Sequence, residues 1–96
     1  MEIYTVYILL CGDNTYYTGI TSNLSKRLAE HISSRFPNSY TSNRLPVELV
    51  YYVEFTNVQL AIDAEKQIKK WSRLKKEALI NNEFEKLPNL AKKKFK

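Results

Sequence analysis

The chain has 96 residues, 44 % of them hydrophobic and 12 % aromatic, with a formal net charge of +5. That length allows one domain with one modest core, and the composition excludes a disordered chain. No run approaches the ~20 apolar residues of a membrane span, and the N-terminus lacks a basic-then-apolar signal pattern. The single cysteine, Cys11, excludes an internal disulfide and suits a reducing compartment, by default the cytoplasm.

Residues 3–10 and 16–20 are apolar-aromatic runs separated by Cys11-Gly12-Asp13-Asn14-Thr15, the pattern of a β-hairpin. Alternation along the strands puts Tyr7 on the face of Thr5 and Leu9, and Tyr17 on the face of Gly19. Two phenols are thereby held near a glycine that leaves room for a ligand. The first helix is expected from about 23 to 34, with Thr21, Ser22 and Asn23 as candidate N-caps. Leu24, Leu28 and Ile32 form its apolar stripe. Arg27 and His31, one turn apart, lie beside that stripe and project along the rim of the sheet. A histidine so placed serves structure or catalysis.

Residues 35–46 hold Pro37, Asn38, Ser39, Ser42, Asn43 and Pro46 and read as a long loop. Arg35 and Arg44 are candidates for phosphate contact and Tyr40 for stacking on a base; the plainer reading is a polar loop with a packed tyrosine. Val47 to Phe55 forms the third strand, apolar enough to predict a place inside the sheet with helices against it. Thr56 and Gln59 make a capping box for a second helix running to about Trp71. Ser72 interrupts or recaps it, and Arg73–Asn82 forms a third helix with Leu74, Ala78 and Leu79 inward. The sequence divides into one domain over 1–82 and a basic tail over 83–96 that is expected to fray.

Glu65 is the most informative residue of the second half. Val58, Ala61, Ile62 and Ile68 form the apolar stripe of its helix, and Glu65 lies in the middle of that stripe. Burying an unpaired carboxylate costs several kcal/mol, so Glu65 requires a partner. Arg27 or a divalent cation would serve, the first as an internal pair that only fixes helix orientation. One Cys and one His cannot build a tetrahedral zinc site, so any metal is hard and oxygen-bound, such as Mg²⁺.

Charge is uneven along the chain. Residues 1–65 carry four basic and seven acidic side chains, net −3, whereas residues 66–96 carry eleven basic and three acidic, net +8. Lys66, Lys69, Lys70 and Arg73 recur at i, i+3, i+4 and i+7, one flank of a helix that continues through Ser72. Such a row can follow a phosphate backbone; it can also be an ordinary solvated face.

Taken together, Thr5-Val6-Tyr7, Tyr17-Thr18-Gly19, Arg27, His31 and Glu65 resemble the GIY-YIG nuclease domain, over roughly residues 2 to 80. The likeness is to the small stand-alone bacterial members. It implies an α/β fold with a three-stranded, mostly antiparallel sheet flanked by helices, in the order β-β-α-β-α-α. It also implies a metal-dependent endonuclease acting on DNA, with a role in repair or recombination at structured or branched sites. Under the resemblance Tyr7 is the base, Tyr17 orients water or phosphate, and Arg27 clamps the scissile phosphate. His31 assists as proton acceptor, and Glu65 is the ligand of Mg²⁺ or Mn²⁺. A free phenol has a pKa of ~10, so this role asks for depression by neighbouring positive charge or metal-bound water.

The chain departs from the family pattern at Thr5 (glycine), Thr18 (isoleucine) and Ile20 (lysine in repair relatives). It also has Glu77 about where many members carry an asparagine, with Asn81 and Asn82 the nearest substitutes. Two other readings stand beside the nuclease. One is a nucleic-acid-binding module that works with a protein partner supplying DNA specificity. The other is an adaptor that docks Trp71 and the basic helix onto an acidic protein.

Overall fold

The computed structural model describes residues 2–33 and 40–83. Arg35 and the tail beyond Glu83 lie outside the described residues. The elements are β1 (Tyr4–Cys11), β2 (Tyr16–Thr21), α1 (Leu24–Ile32), β3 (Val47–Phe55), α2 (Val58–Lys69) and α3 (Arg73–Ile80). The order is the expected β-β-α-β-α-α. The three strands form one antiparallel sheet in the order β2-β1-β3.

The central strand is β1, whose sequence suits burial on both faces. Val6, Tyr7, Ile8 and Leu9 are all at most 1 % exposed. Val6 and Ile8 join Ala61, Ile68, Ala78 and Leu79 in the core beneath α2 and α3. Tyr7 faces the other way, onto His31 of α1. Each such side chain taken fully from water contributes about 1.5–3 kcal/mol.

The sheet corrects the expectation for β3, which lies at an edge. Its apolar sequence is explained by a bulge. Ile8 pairs with Tyr51 and Leu9 with Leu49, so Val50 is the extra residue. The side-chain alternation therefore reverses at that point. Tyr51, Val53 and Phe55 share a face with Ile8 and Val6, while Leu49 and Val47 share the face of Leu9 and Cys11. Apolar residues on both faces of an edge strand thus cover both sides of β1.

The helix boundaries follow from their caps. Asn23 caps α1, accepting from the Lys26 N–H at 3.1 Å. Asn57 caps α2, accepting from Leu60 at 3.1 Å, in place of the expected Thr56. Ser72 caps α3, so α2 stops at Lys69 and the two helices are separate. The apolar stripes are shorter than their periodicity suggested. Ile32, Val58 and Leu74 are exposed, each in the first or last turn of its helix. Asn82, at φ 59°, ends the last turn of α3, and the Glu83 N–H returns to the Ala78 carbonyl at 2.8 Å.

Candidate active site

The site is assembled on the β1 face that α1 covers. Tyr7 sits opposite Gly19 in the hairpin register, and Tyr17 sits opposite Leu9, so both phenols rise from the same face. The space above Gly19 is taken by the Tyr7 ring itself, not left for a ligand. A Cβ at position 19 would lie 2.5 Å from Tyr7 Cζ. Glycine is therefore required there by the close approach of a side chain.

His31 comes from the last turn of α1 and is buried to 8 % exposure, not placed on the rim. Its Nε2 lies 3.0 Å from the Tyr7 hydroxyl, and its Nδ1 lies 2.7 Å from Thr41 Oγ1. Tyr17 meets the imidazole edge-on, with ring centroids 5.2 Å apart, and Tyr40 stacks outside Tyr17 at 5.6 Å. Arg27, on the same side of α1, bridges to Glu30 at 3.5 Å and keeps much of its side chain open to solvent. Two members of this cluster, Thr41 and Glu30, escaped the sequence reading. A threonine in a polar loop has no periodicity to reveal it, and Glu30 is visible only as the i+3 neighbour of Arg27.

Burial pushes the Tyr7 phenol above the ordinary tyrosine range, Tyr17 pushes the same way, and the Arg27 guanidinium opposes them only in part. This is opposite to the depression that a free phenolate base would need. His31 is moved downward, first by burial and then by Arg27, with Glu30 acting against them. Burial therefore favours the neutral imidazole, the form able to accept a proton. The chain has one histidine, so an NMR pH titration reads it directly, and its midpoint is expected below 6.5. Because the folded pKa is lowered, the associated stability is complete above pH ~6.5 and is lost as pH falls through the folded value. The melting temperature should decline across that interval, and a midpoint at or above 6.5 would contradict the burial.

Glu65 lies in the stripe as expected, 9 % exposed, on the face of α2 toward β2 and β1. Its partner is Lys69, whose Nζ lies 2.6 Å from Oε2, and not Arg27. The hydrogen bond to the Glu65 carboxylate raises the Lys69 pKa, and Tyr17 adds a smaller push in the same direction. Among the described residues no group of three or more His, Cys, Asp or Glu side chains could hold a metal. A single hard oxygen donor fits an ion of the Mg²⁺ kind, which keeps most of its waters; it does not fit zinc or calcium.

The row of cations is broken by the separation of α2 from α3. Lys66 and Lys70 are exposed, while Lys69 is held by Glu65. Arg73 pairs with Glu77 at 3.1 Å, donates to the Asn14 carbonyl at 2.6 Å and covers the Tyr16 ring. Arg44 is likewise engaged, with Asp13 at 3.0 Å and over the Tyr40 ring at 4.0 Å. Trp71 is half-buried against the core, with the Lys75 ammonium 3.9 Å over its ring.

The model of the GIY-YIG catalytic domain matches residues 3–78. The chain belongs to the GIY-YIG family. That family is one of endonucleases, whose members generally use divalent metal ions. Among similar GIY-YIG relatives is the UPF0213 protein of Natronomonas pharaonis, 45 % identical over 78 residues, 81 % of this chain and 91 % of the relative. The UPF0213 protein of Syntrophus aciditrophicus is 44 % identical over 82 residues, covering 85 % and 94 %. The NMR structure of a UPF0213 protein from Bacillus halodurans superposes with a TM-score of 0.55 at 37 % identity, covering 82 % and 83 %. That of a protein from E. faecalis gives 0.60 at 32 %, covering 85 % and 90 %. Two GIY-YIG departures have a visible setting in this fold. Thr5 and Thr18 are both buried, and the Thr18 hydroxyl has no hydrogen-bond partner among the described residues.

Proposed function

We propose that this chain is a divalent-metal-dependent endonuclease that hydrolyses DNA phosphodiester bonds, acting on structured or branched DNA in repair or recombination. The observation that carries the reading is the 3.0 Å contact between the Tyr7 hydroxyl and the buried His31 Nε2. With its phenol raised by burial, Tyr7 works as a relay. Its oxygen takes a proton from the attacking water while its own proton passes to His31 Nε2. The resulting hydroxide forms the new P–O bond as the bond to the leaving oxygen breaks. Arg27, open to solvent beside this pair, holds the phosphate with its planar fork of donors. Tyr17, between His31 and Tyr40, orients the water. Glu65 would hold Mg²⁺ or Mn²⁺, which supplies charge neutralisation at the phosphate and the leaving oxygen.

Lys66 and Lys70, with Arg73, would extend the electropositive side for the DNA backbone; Arg35 lies outside the described residues. Tyr40, against Tyr17, and Arg44, over the Tyr40 ring, are the remaining candidates for base and phosphate contact. No helix among the described residues is long and apolar enough to cross a membrane. The free thiol of Cys11 suits the reducing cytoplasm. One observation favours a binding module instead: Lys69 already engages, at 2.6 Å, the carboxylate that a metal would use.

The deciding experiment is cleavage of supercoiled, single-stranded and branched DNA in Mg²⁺ or Mn²⁺, with EDTA controls and the Tyr7→Phe variant. Cleavage by the wild type is expected, with the variant slower by about 10²–10³-fold and still folded. Salt-dependent binding without cleavage on any substrate would replace the nuclease with the binding module. Neither binding nor cleavage would leave the adaptor.

A further inference from the structure

The imidazole of His31 lies between two hydroxyls, and two proton arrangements satisfy that geometry. In one, Tyr7 donates to Nε2 and the Nδ1–H donates to Thr41. In the other, the Nε2–H donates to Tyr7 and Thr41 donates to Nδ1. Only the first leaves Nε2 free to receive the Tyr7 proton. The chemistry of the partners separates the two. A phenol is a far stronger acid than an alkyl alcohol and its oxygen is a poorer acceptor. The imidazole lone pair is therefore best matched to Tyr7, and the N–H to Thr41 Oγ1 at 2.7 Å.

Thr41 is 1 % exposed although it belongs to the polar loop, and the hairpin turn holds it there. Arg44 donates to Asp13 Oδ2 at 3.0 Å and to the Tyr40 carbonyl at 2.7 Å, and its guanidinium covers the Tyr40 ring. The Tyr40 hydroxyl donates to Thr15 Oγ1 at 3.0 Å. The Arg44 N–H closes a turn onto the Thr41 carbonyl at 3.0 Å, and the Gly12 N–H reaches the Arg44 carbonyl at 2.5 Å. Gly12 allows that approach, since a Cβ there would lie 2.7 Å from the Leu45 carbonyl carbon. Asp13, Thr15, Tyr40 and Arg44 thus clasp the loop to the hairpin on both sides of Thr41.

We propose that Thr41, held by this clasp, is a positioning residue that fixes His31 as the Nδ1–H tautomer, with Nε2 turned to Tyr7 as proton acceptor. The inference rests on the nuclease reading for its consequence, but not for its geometry. It gives Tyr40 and Arg44 a task inside the protein, before any contact with DNA.

The test combines ¹⁵N NMR of the imidazole near pH 8 with steady-state cleavage, for the wild type, Thr41→Ser and Thr41→Val. The wild type is expected to show Nδ1 protonated and Nε2 not. Thr41→Ser, which keeps the hydroxyl, should retain both tautomer and kcat. Thr41→Val, nearly isosteric, should move population toward the Nε2–H tautomer and lower kcat by about 10–100-fold with KM little changed. Arg44→Gln, which loosens the clasp while leaving Thr41 in place, should shift the tautomer in the same direction and covers the case in which the valine variant does not fold. A wild-type proton on Nε2 would overturn the proposal, as would a folded valine variant with unaltered tautomer. A wild type that shows the Nδ1–H tautomer but cleaves no DNA would uphold the positioning and reject the nuclease reading alone.

Discussion

Glu65→Gln is expected to lower Mg²⁺-dependent cleavage by at least about 10³-fold while leaving the fold in place. This one carboxylate has two separable tasks. Structurally, Glu65 makes an i,i+4 pair with a Lys69 that is itself largely exposed. Such pairs contribute about 0.3–0.5 kcal/mol, and glutamine still accepts a hydrogen bond from the ammonium. Chemically, on the proposed reading, Glu65 is the charged oxygen that would hold the hard cation, and a neutral amide is a poor replacement. A loss of several kcal/mol in transition-state stabilisation corresponds to a thousandfold or more in rate. The check is cleavage across a Mg²⁺ titration beside a thermal melt. Wild-type rates in the glutamine variant, with an unchanged metal requirement, would move the metal elsewhere.

Gly19→Ala is expected to damage stability and activity together. The added methyl meets the Tyr7 ring at its hydroxyl end, and the ring has nowhere to go. Tyr7 is 1 % exposed and is bounded by Tyr17, His31 and the strand itself. Overpacking of this kind costs typically 1–3 kcal/mol, and loss of the Tyr7–His31 hydrogen bond adds about 1 kcal/mol. For a domain of this size, about 2–3 kcal/mol lowers Tm by roughly 10–20 °C. At temperatures where the variant is still folded, displacement of the phenol should reduce cleavage by about 10²-fold or more. Circular dichroism melts and initial rates below the lower melting point measure both effects. A variant with wild-type Tm would show that the ring yields easily and that glycine serves chain flexibility there.

The two substitutions probe residues whose meaning was legible to different degrees. Glu65 stood out because a charge in an apolar stripe contradicts its period, and the fold buries it as that contradiction required. The sequence offers Arg27 or a divalent cation as its partner; in the fold Arg27 turns to Glu30 within its own helix, and Lys69, one turn along α2, takes the carboxylate. Gly19 reads in the sequence as leaving room for a ligand, and the fold fills that room with a side chain. Its occupant is the Tyr7 ring because the hairpin register sets those two residues face to face, and register is a property of the pair of strands, not of either one.

By itself the sequence determined the elements and their order, the tripeptide pair on one hairpin, the Arg27–His31 side of the first helix, and the buried Glu65. These are local or periodic features, set by alternation, helical spacing and capping residues, so a short window holds their physics. Tertiary structure decided the rest. It placed β1 at the centre and β3 at the edge, since strand order depends on which strand is covered on both faces. It broke the cation row, because Ser72 caps a new helix once the chain turns. It also delivered Thr41 to His31 from ten residues away, through a clasp among Asp13, Thr15, Tyr40 and Arg44. Such contacts join segments with no shared period, so their energies arise only when the chain has closed on itself.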